Sequence, residues 1–134
     1  METDSRAIHG GDLFVALRGE NTDGHKYITG ALNNGGAGCL TEIVPQELLP
    51  GKFYIQVDDT VLALGQVARA YQEKFPIPVI GITGSVGKTT TKDMIASVLS
   101  RKYKVLKTEG NFNNELGLPL TLFRLTPEHQ FCVL

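Results

Sequence analysis

Tryptophan is absent, cysteine occurs only twice, aromatic residues make up 7% of the 134 positions, and 14 acidic residues nearly cancel 13 basic ones. The cysteine count and the charge balance each narrow the class of protein. Cys39 and Cys132 have no paired spacing with other Cys or His, so two free, buried thiols are expected ahead of a disulfide or metal site. A net charge of -1 gives no electrostatic case for nucleic acid or an anionic membrane as partner. No stretch approaches the roughly 18 apolar residues of a membrane span. Met1 to Arg6 lacks the apolar centre of a signal peptide, which makes a cytoplasmic location the default. His9, His25 and His129 are scattered, and no metal constellation can be built from them. There is no internal repeat and no low-complexity segment.

What is present is the composition of a globular protein, 42% hydrophobic and 20% charged. The length suits one ordinary domain, or one small domain and part of another. The chain is organised around Gly81-Ile82-Thr83-Gly84-Ser85-Val86-Gly87-Lys88-Thr89-Thr90. A short β-branched run, Ile77 to Ile82, precedes it, and the stretch after it puts Met94, Ile95, Val98 and Leu99 on one helical face. Strand, glycine loop and helix in that order form a phosphate cradle. Free backbone N–H groups and the positive helix end face the anion, Lys88 adds a point charge, and the Thr89 hydroxyl suits Mg²⁺. The strict G-x-x-x-x-G-K-[ST] pattern asks for glycine at position 82, where this chain has isoleucine. The match is a variant, and the bland alternative is an ordinary Gly/Ser turn with a solvated lysine.

Taken in order, Leu13 to Leu17 predicts a strand and Arg18 to His25 a polar loop. Tyr27, Ile28, Ala31 and Leu32 predict a helix over 26–33 that ends at Asn34-Gly35-Gly36. Strands follow at Cys39-Leu40 and Phe53 to Val57. Asp58 or Asp59 can cap the next helix, whose inner face is Val61, Leu64, Ala68, Tyr71 and Phe75. This is a small β-α-β-β-α unit. Phe75-Pro76-Ile77-Pro78 marks the boundary, giving domains 1–76 and 77–134. Beyond the loop helix come a strand at Lys104 to Thr108, a helix at Gly117 to Leu125 started by Pro119, and a strand from Phe131. Strands alternating with helices predict a parallel α/β sheet, of which about three strands are present.

Three other stretches carry polar chemistry. Thr108 to Glu115 follows a strand end, where open α/β sheets bind ligands; its asparagines and carboxylates could meet a nucleotide, a metal or a second substrate, or form an Asn/Gly turn. Asp4-Ser5-Arg6 could hold a phosphate through a forked guanidinium, although a solvated turn is the commoner outcome. Asp23-Gly24-His25 is either a binding loop or a helix start capped by Asp23.

Together these residues resemble the Mur ligases of peptidoglycan synthesis. Asp4-Ser5-Arg6, Gly11 to Leu17 with Gly19-Glu20, and Asp23-Gly24-His25 resemble the N-terminal domain that binds the UDP end of the substrate. Gly81 to Lys92 resembles the family's own variant of the ATP loop, and Gly110 to Leu122 favours the member that uses D-alanyl-D-alanine. The resemblance implies a small α/β UDP-substrate domain over 1–76, followed from 77 by the truncated start of a parallel-sheet P-loop ATPase domain. It also implies an ATP-dependent amide ligase. ATP phosphorylates the terminal carboxylate of UDP-N-acetylmuramoyl-tripeptide, and the amine of D-alanyl-D-alanine attacks the acyl phosphate. By the same resemblance Lys88 is catalytic, and Thr83, Gly84, Ser85, Val86, Gly87, Lys88, Thr89, Thr90 and Asn111 hold the nucleotide. Thr89 meets Mg²⁺, and Ser5 and Arg6 lie near the uridine diphosphate. Members usually have a strand and helix before the Asp-Ser-Arg segment and more domain after Leu134, so the resemblance implies an N-terminal fragment without ligase turnover. The competing readings are another ligase of the same family, a folylpolyglutamate synthetase, and a non-catalytic nucleotide or UDP-sugar module.

Overall fold

The computed structural model describes residues 1–19, 22–110, 112 and 114–134, and the chain divides into two compact units, Met1–Ala63 and Leu64–Leu134. In the first, β1 (Leu13–Val15), β2 (Gly38–Thr41) and β3 (Phe53–Gln56) form a parallel sheet in the order β1-β2-β3. A single 3-10 turn, Gly24–Tyr27, and α1 (Ile28–Asn33) connect β1 to β2, in place of the one continuous helix expected over 26–33. Asp23 caps that turn by accepting from the His25 N–H at 3.0 Å. The expected inner residues Ile28, Ala31 and Leu32 are buried with Phe14, Ala16 and Cys39. Tyr27 falls in the 3-10 turn and is exposed. The link from β2 to β3 contains no helix, yet the strands are parallel.

Helix α2 (Thr60–Gln72) begins behind Asp59, whose carboxylate accepts from the Leu62 N–H at 2.9 Å. The capping role foreseen for the Asp58-Asp59 pair therefore falls to Asp59, while Leu64 and Ala68 are buried as the helical spacing requires.

The second unit holds β4 (Val79–Ile80), α3 (Lys88–Leu99), β5 (Val105–Lys107), α4 (Gly117–Leu122) and β6 (Phe131–Val133). Its sheet is parallel in the order β4-β6-β5, so the last strand in the chain lies between the other two. β4 is shorter than the run 77–82 suggests, although the ladder extends on both sides: Cys132 N–H donates to Pro78 and Ile82 N–H to Leu134. Leu106, Leu125 and Cys132 form the core under Tyr71, Phe75 and Ile77, and the Tyr71 hydroxyl donates to the Leu125 carbonyl at 2.9 Å. α4 starts two residues before Pro119, because the Asn114 side chain accepts from the Gly117 N–H at 2.7 Å. Pro119 sits in the first turn, where a missing N–H costs nothing.

The expected face of α3 is corrected in part. Met94 and Val98 are 65% and 72% exposed, Ile95 and Leu99 are half-buried, and Lys92 and Ala96 are the buried residues. Two stripes on this helix have helical spacing. The stripe through Lys88, Lys92 and Ala96 packs inward because the Lys92 ammonium finds the Gly110 carbonyl at the end of β5.

Cys39 and Cys132 are free, buried thiols, and burial pushes each up to about 11. Among the described residues no helix is long and apolar enough to cross a membrane.

Candidate functional site

β4 ends at Ile80, and the chain reaches α3 through Gly81 to Gly87. Two glycines make the turn. Gly84 has φ of 144° and Gly87 of 79°, conformations that a residue with a Cβ adopts only under strain. Ile82 stands where the strict pattern has glycine, and its N–H donates to the Leu134 carbonyl at 2.9 Å. It continues the sheet in extended backbone, which needs no glycine. The mismatch at 82 therefore has a structural reason.

Among the described residues, the backbone N–H groups of Gly84 to Thr90 donate to no acceptor. They form a solvent-exposed cluster at the positive end of a helix of 12 residues, the arrangement that suits an anion. Lys88 folds its ammonium onto the Gly84 carbonyl at 2.5 Å. Lys88, Thr89 and Lys92 line a depression of about 240 Å³, counting its open mouth, together with Ile82, Gly110 and Leu134. Two ammonium groups and one side-chain hydroxyl line it, with no carboxylate side chain among the described residues. This donor set fits a polyphosphate, and the Thr89 hydroxyl supplies an oxygen for a hard cation.

The segment after β5 borders the depression. Thr108 is buried, Glu109 pairs with Arg124 at 2.8 Å, and Asn114 caps α4. These residues of the Thr108–Glu115 run have structural partners; Asn111 and Asn113 lie outside the described residues. A Cβ on Gly117 would come within 2.4 Å of the Phe112 carbonyl oxygen, so only glycine allows the segment to cross the start of α4. Asp93, beside Lys92 in sequence, is held below the usual carboxylate range by its hydrogen bond to the Lys107 ammonium.

In the first unit, Arg6 is fixed by Asp4 through Nε at 3.0 Å and a terminal nitrogen at 2.8 Å. That hydrogen bond brings the Asp4 carboxyl down to about 2. The guanidinium has five N–H donors, so the pair orients Arg6 without exhausting it. Ser5 lies beside it, half-buried. His25 Nε2 accepts from the Glu42 N–H at 3.1 Å, which leaves the proton on Nδ1, 2.6 Å from Asp23. His25 thus ties the 3-10 turn to the end of β2. Glu42 accepts from both the N–H and the hydroxyl of Thr60 at 3.1 Å and pairs with Arg18 at 3.2 Å; the Thr60 N–H is the main cause of its lowered pKa.

Lys92 and Glu42 were not singled out from the sequence. Lys92 had a signal, since it lies four residues after Lys88 on the same helix face. Glu42 had none, because its partners are distant in sequence.

The chain is similar to UDP-N-acetylmuramoyl-tripeptide–D-alanyl-D-alanine ligase of Synechocystis sp., with 47% identity, covering 98% of this chain and 29% of that protein. Among solved structures it is similar to MurF from Acinetobacter baumannii, with a TM-score of 0.90, 42% identity, and coverage of 99% of this chain and 29% of that one. It is also similar to MurF ligase from Thermotoga maritima in complex with ADP, with a TM-score of 0.87, 36% identity, and coverage of 98% and 30%. The chain thus spans under a third of the length of these relatives. The profile described as Mur ligase family, catalytic domain, matches residues 1–72. A second, Mur ligase middle domain, begins at Ile82 and runs over 82–134. Its match starts within the glycine loop, and the two profiles between them leave only nine residues of the chain uncovered; the chain belongs to the Mur ligase family.

Proposed function

We propose that the chain is the N-terminal part of an ATP-dependent amide ligase that joins D-alanyl-D-alanine to UDP-N-acetylmuramoyl-tripeptide, a cytoplasmic step in making the peptidoglycan precursor. Residues 1–76 are the domain that takes the UDP end of the substrate, with Ser5 and Arg6 near the diphosphate. Residues 77–134 are the start of the central ATP-binding domain. The observation that carries this reading is the run of uncommitted N–H groups from Gly84 to Thr90 at the start of α3. The names of the relatives and the ADP complex of one of them support it.

Bound ATP supplies the γ-phosphoryl group that activates the substrate carboxylate. The chain's own contribution is positioning and charge neutralisation, which dominate phosphoryl transfer. Thr83 to Thr90 wrap the phosphates with backbone N–H groups, and Gly84 and Gly87 let the backbone come close. Lys88 leaves the Gly84 carbonyl to stabilise charge on the transferring group. The Thr89 hydroxyl would hold Mg²⁺, which would supply charge neutralisation, and the family resemblance assigns Asn111 to the nucleotide. With under a third of the relatives' length present, nucleotide binding is the activity expected of this chain in isolation.

Calorimetric titration with MgATP tests the assignment. The chain binds, and Lys88→Ala weakens binding by at least about tenfold, or 1.4 kcal/mol. Unchanged affinity in the variant contradicts the loop assignment.

A further inference from the structure

Lys92 is 6% exposed, and its ammonium donates to the Gly110 carbonyl at 3.0 Å. Lysine is rarely buried unless paired with an opposite charge. Among the described residues no carboxylate reaches it within ion-pair distance, and the nearby Asp93 is engaged by Lys107. One carbonyl dipole is weak compensation for a buried ammonium. The same side chain lines the depression that Lys88 and Thr89 open onto, one turn earlier on the helix. A polyanion in that depression supplies the counter-charge that no carboxylate among the described residues provides.

We propose that Lys92 is a positioning residue that couples nucleotide bound at the glycine loop to the segment 109–117. The proposal rests on the nucleotide reading above. Lys92 holds the segment at Gly110, whose φ of 52° is left-handed. Beyond it, the Phe112 N–H donates to the Glu109 carbonyl at 3.2 Å, and Phe112 lies against Gly117 too tightly for a Cβ. Gly110, Phe112 and Gly117 are thus the described contacts that lie between Lys92 and the first turn of α4. Phosphates beside Lys92 fix its ammonium in place, and the fixed ammonium steadies the segment that follows β5.

Amide hydrogen exchange of the full chain, with and without saturating MgATP, tests this. Nucleotide slows exchange over 109–117 by about fivefold or more, a local stabilisation readable against the unliganded chain. Lys92→Met loses that nucleotide-dependent protection, and Lys92→Arg, which keeps an N–H donor, retains most of it. The coupling is overturned if the wild type binds ATP without slowing exchange in 109–117, or if Lys92→Met keeps full protection. Should the Met variant fail to fold, the wild-type comparison and the Arg variant decide the matter. Absence of ATP binding in the wild type overturns the nucleotide reading and the coupling together, and calorimetry distinguishes that result from a failure of the coupling alone.

Discussion

The two units are built from the same parts, three short parallel strands apiece, and differ in what happens beyond the strand ends. In open parallel sheets, ligands bind outside the carboxyl ends of the strands. In the first unit that edge is internally neutralised: Glu42, just past β2, takes both donors of Thr60 and the guanidinium of Arg18, while His25 joins Asp23 to the Glu42 backbone. In the second unit, Lys88 and Lys92 meet only carbonyl oxygens among the described residues, and the N–H groups of the loop have no acceptor. Charge in the first unit holds the fold. In the second, Asp93 and Glu109 are paired with Lys107 and Arg124, and it is Lys88, Lys92 and the loop N–H groups that are left for a ligand.

The largest expected effect tests the difference in strand order. β6 lies between β4 and β5, whereas the first sheet runs in sequence order, so removal of Phe131–Leu134 takes the shared neighbour from both. Cooperative unfolding of residues 64–134 is lost, and exchange protection in the first unit survives; protection retained in β4 and β5 would break the account. Next comes Glu42→Ala, which leaves the buried Thr60 donors without their acceptor and costs about 1–3 kcal/mol in urea unfolding. Lys88→Ala sharpens the contrast from the other side. Stability changes by less than about 0.5 kcal/mol, although nucleotide binding weakens by at least about tenfold.

The smallest effect is a pH dependence. The exposed Asp4 carboxyl lies at about 2, below its ordinary 3.8, because of its hydrogen bond to Arg6. The stabilisation from this pair is therefore present above pH 3.8 and is lost as pH falls toward 2. Carboxyl titration by NMR finds the low value in the wild type and a return toward 3.8 in Arg6→Ala.

Much of this was legible because it is local. Asp59 before α2, Asp23 before the 3-10 turn and the glycine loop before α3 each act within a few residues of their own position. Ile77 to Ile82 reads as a strand for the same reason, and Val79, Ile80 and Ile82 lie in the ladder beside β6. The buried side of α3 is only partly legible because the stripe through Lys88, Lys92 and Ala96 competes with the apolar one, and the decision falls to a carbonyl eighteen residues away. Glu42 shows the same limit, since nothing near it in sequence announces Thr60 or Arg18. The parallel pairing of β2 with β3 was equally hidden, because a parallel connection usually carries a helix and this one does not.

The contrast between the two strand-end edges is tested most directly by titrating ¹⁵N-labelled chain with MgATP and following backbone amide shifts. The account predicts the largest changes over Thr83 to Thr90, smaller changes around Gly110, and an unperturbed first unit at Arg18, His25 and Glu42. Shifts concentrated in residues 1–63, with Gly84 to Lys88 unmoved, would contradict it.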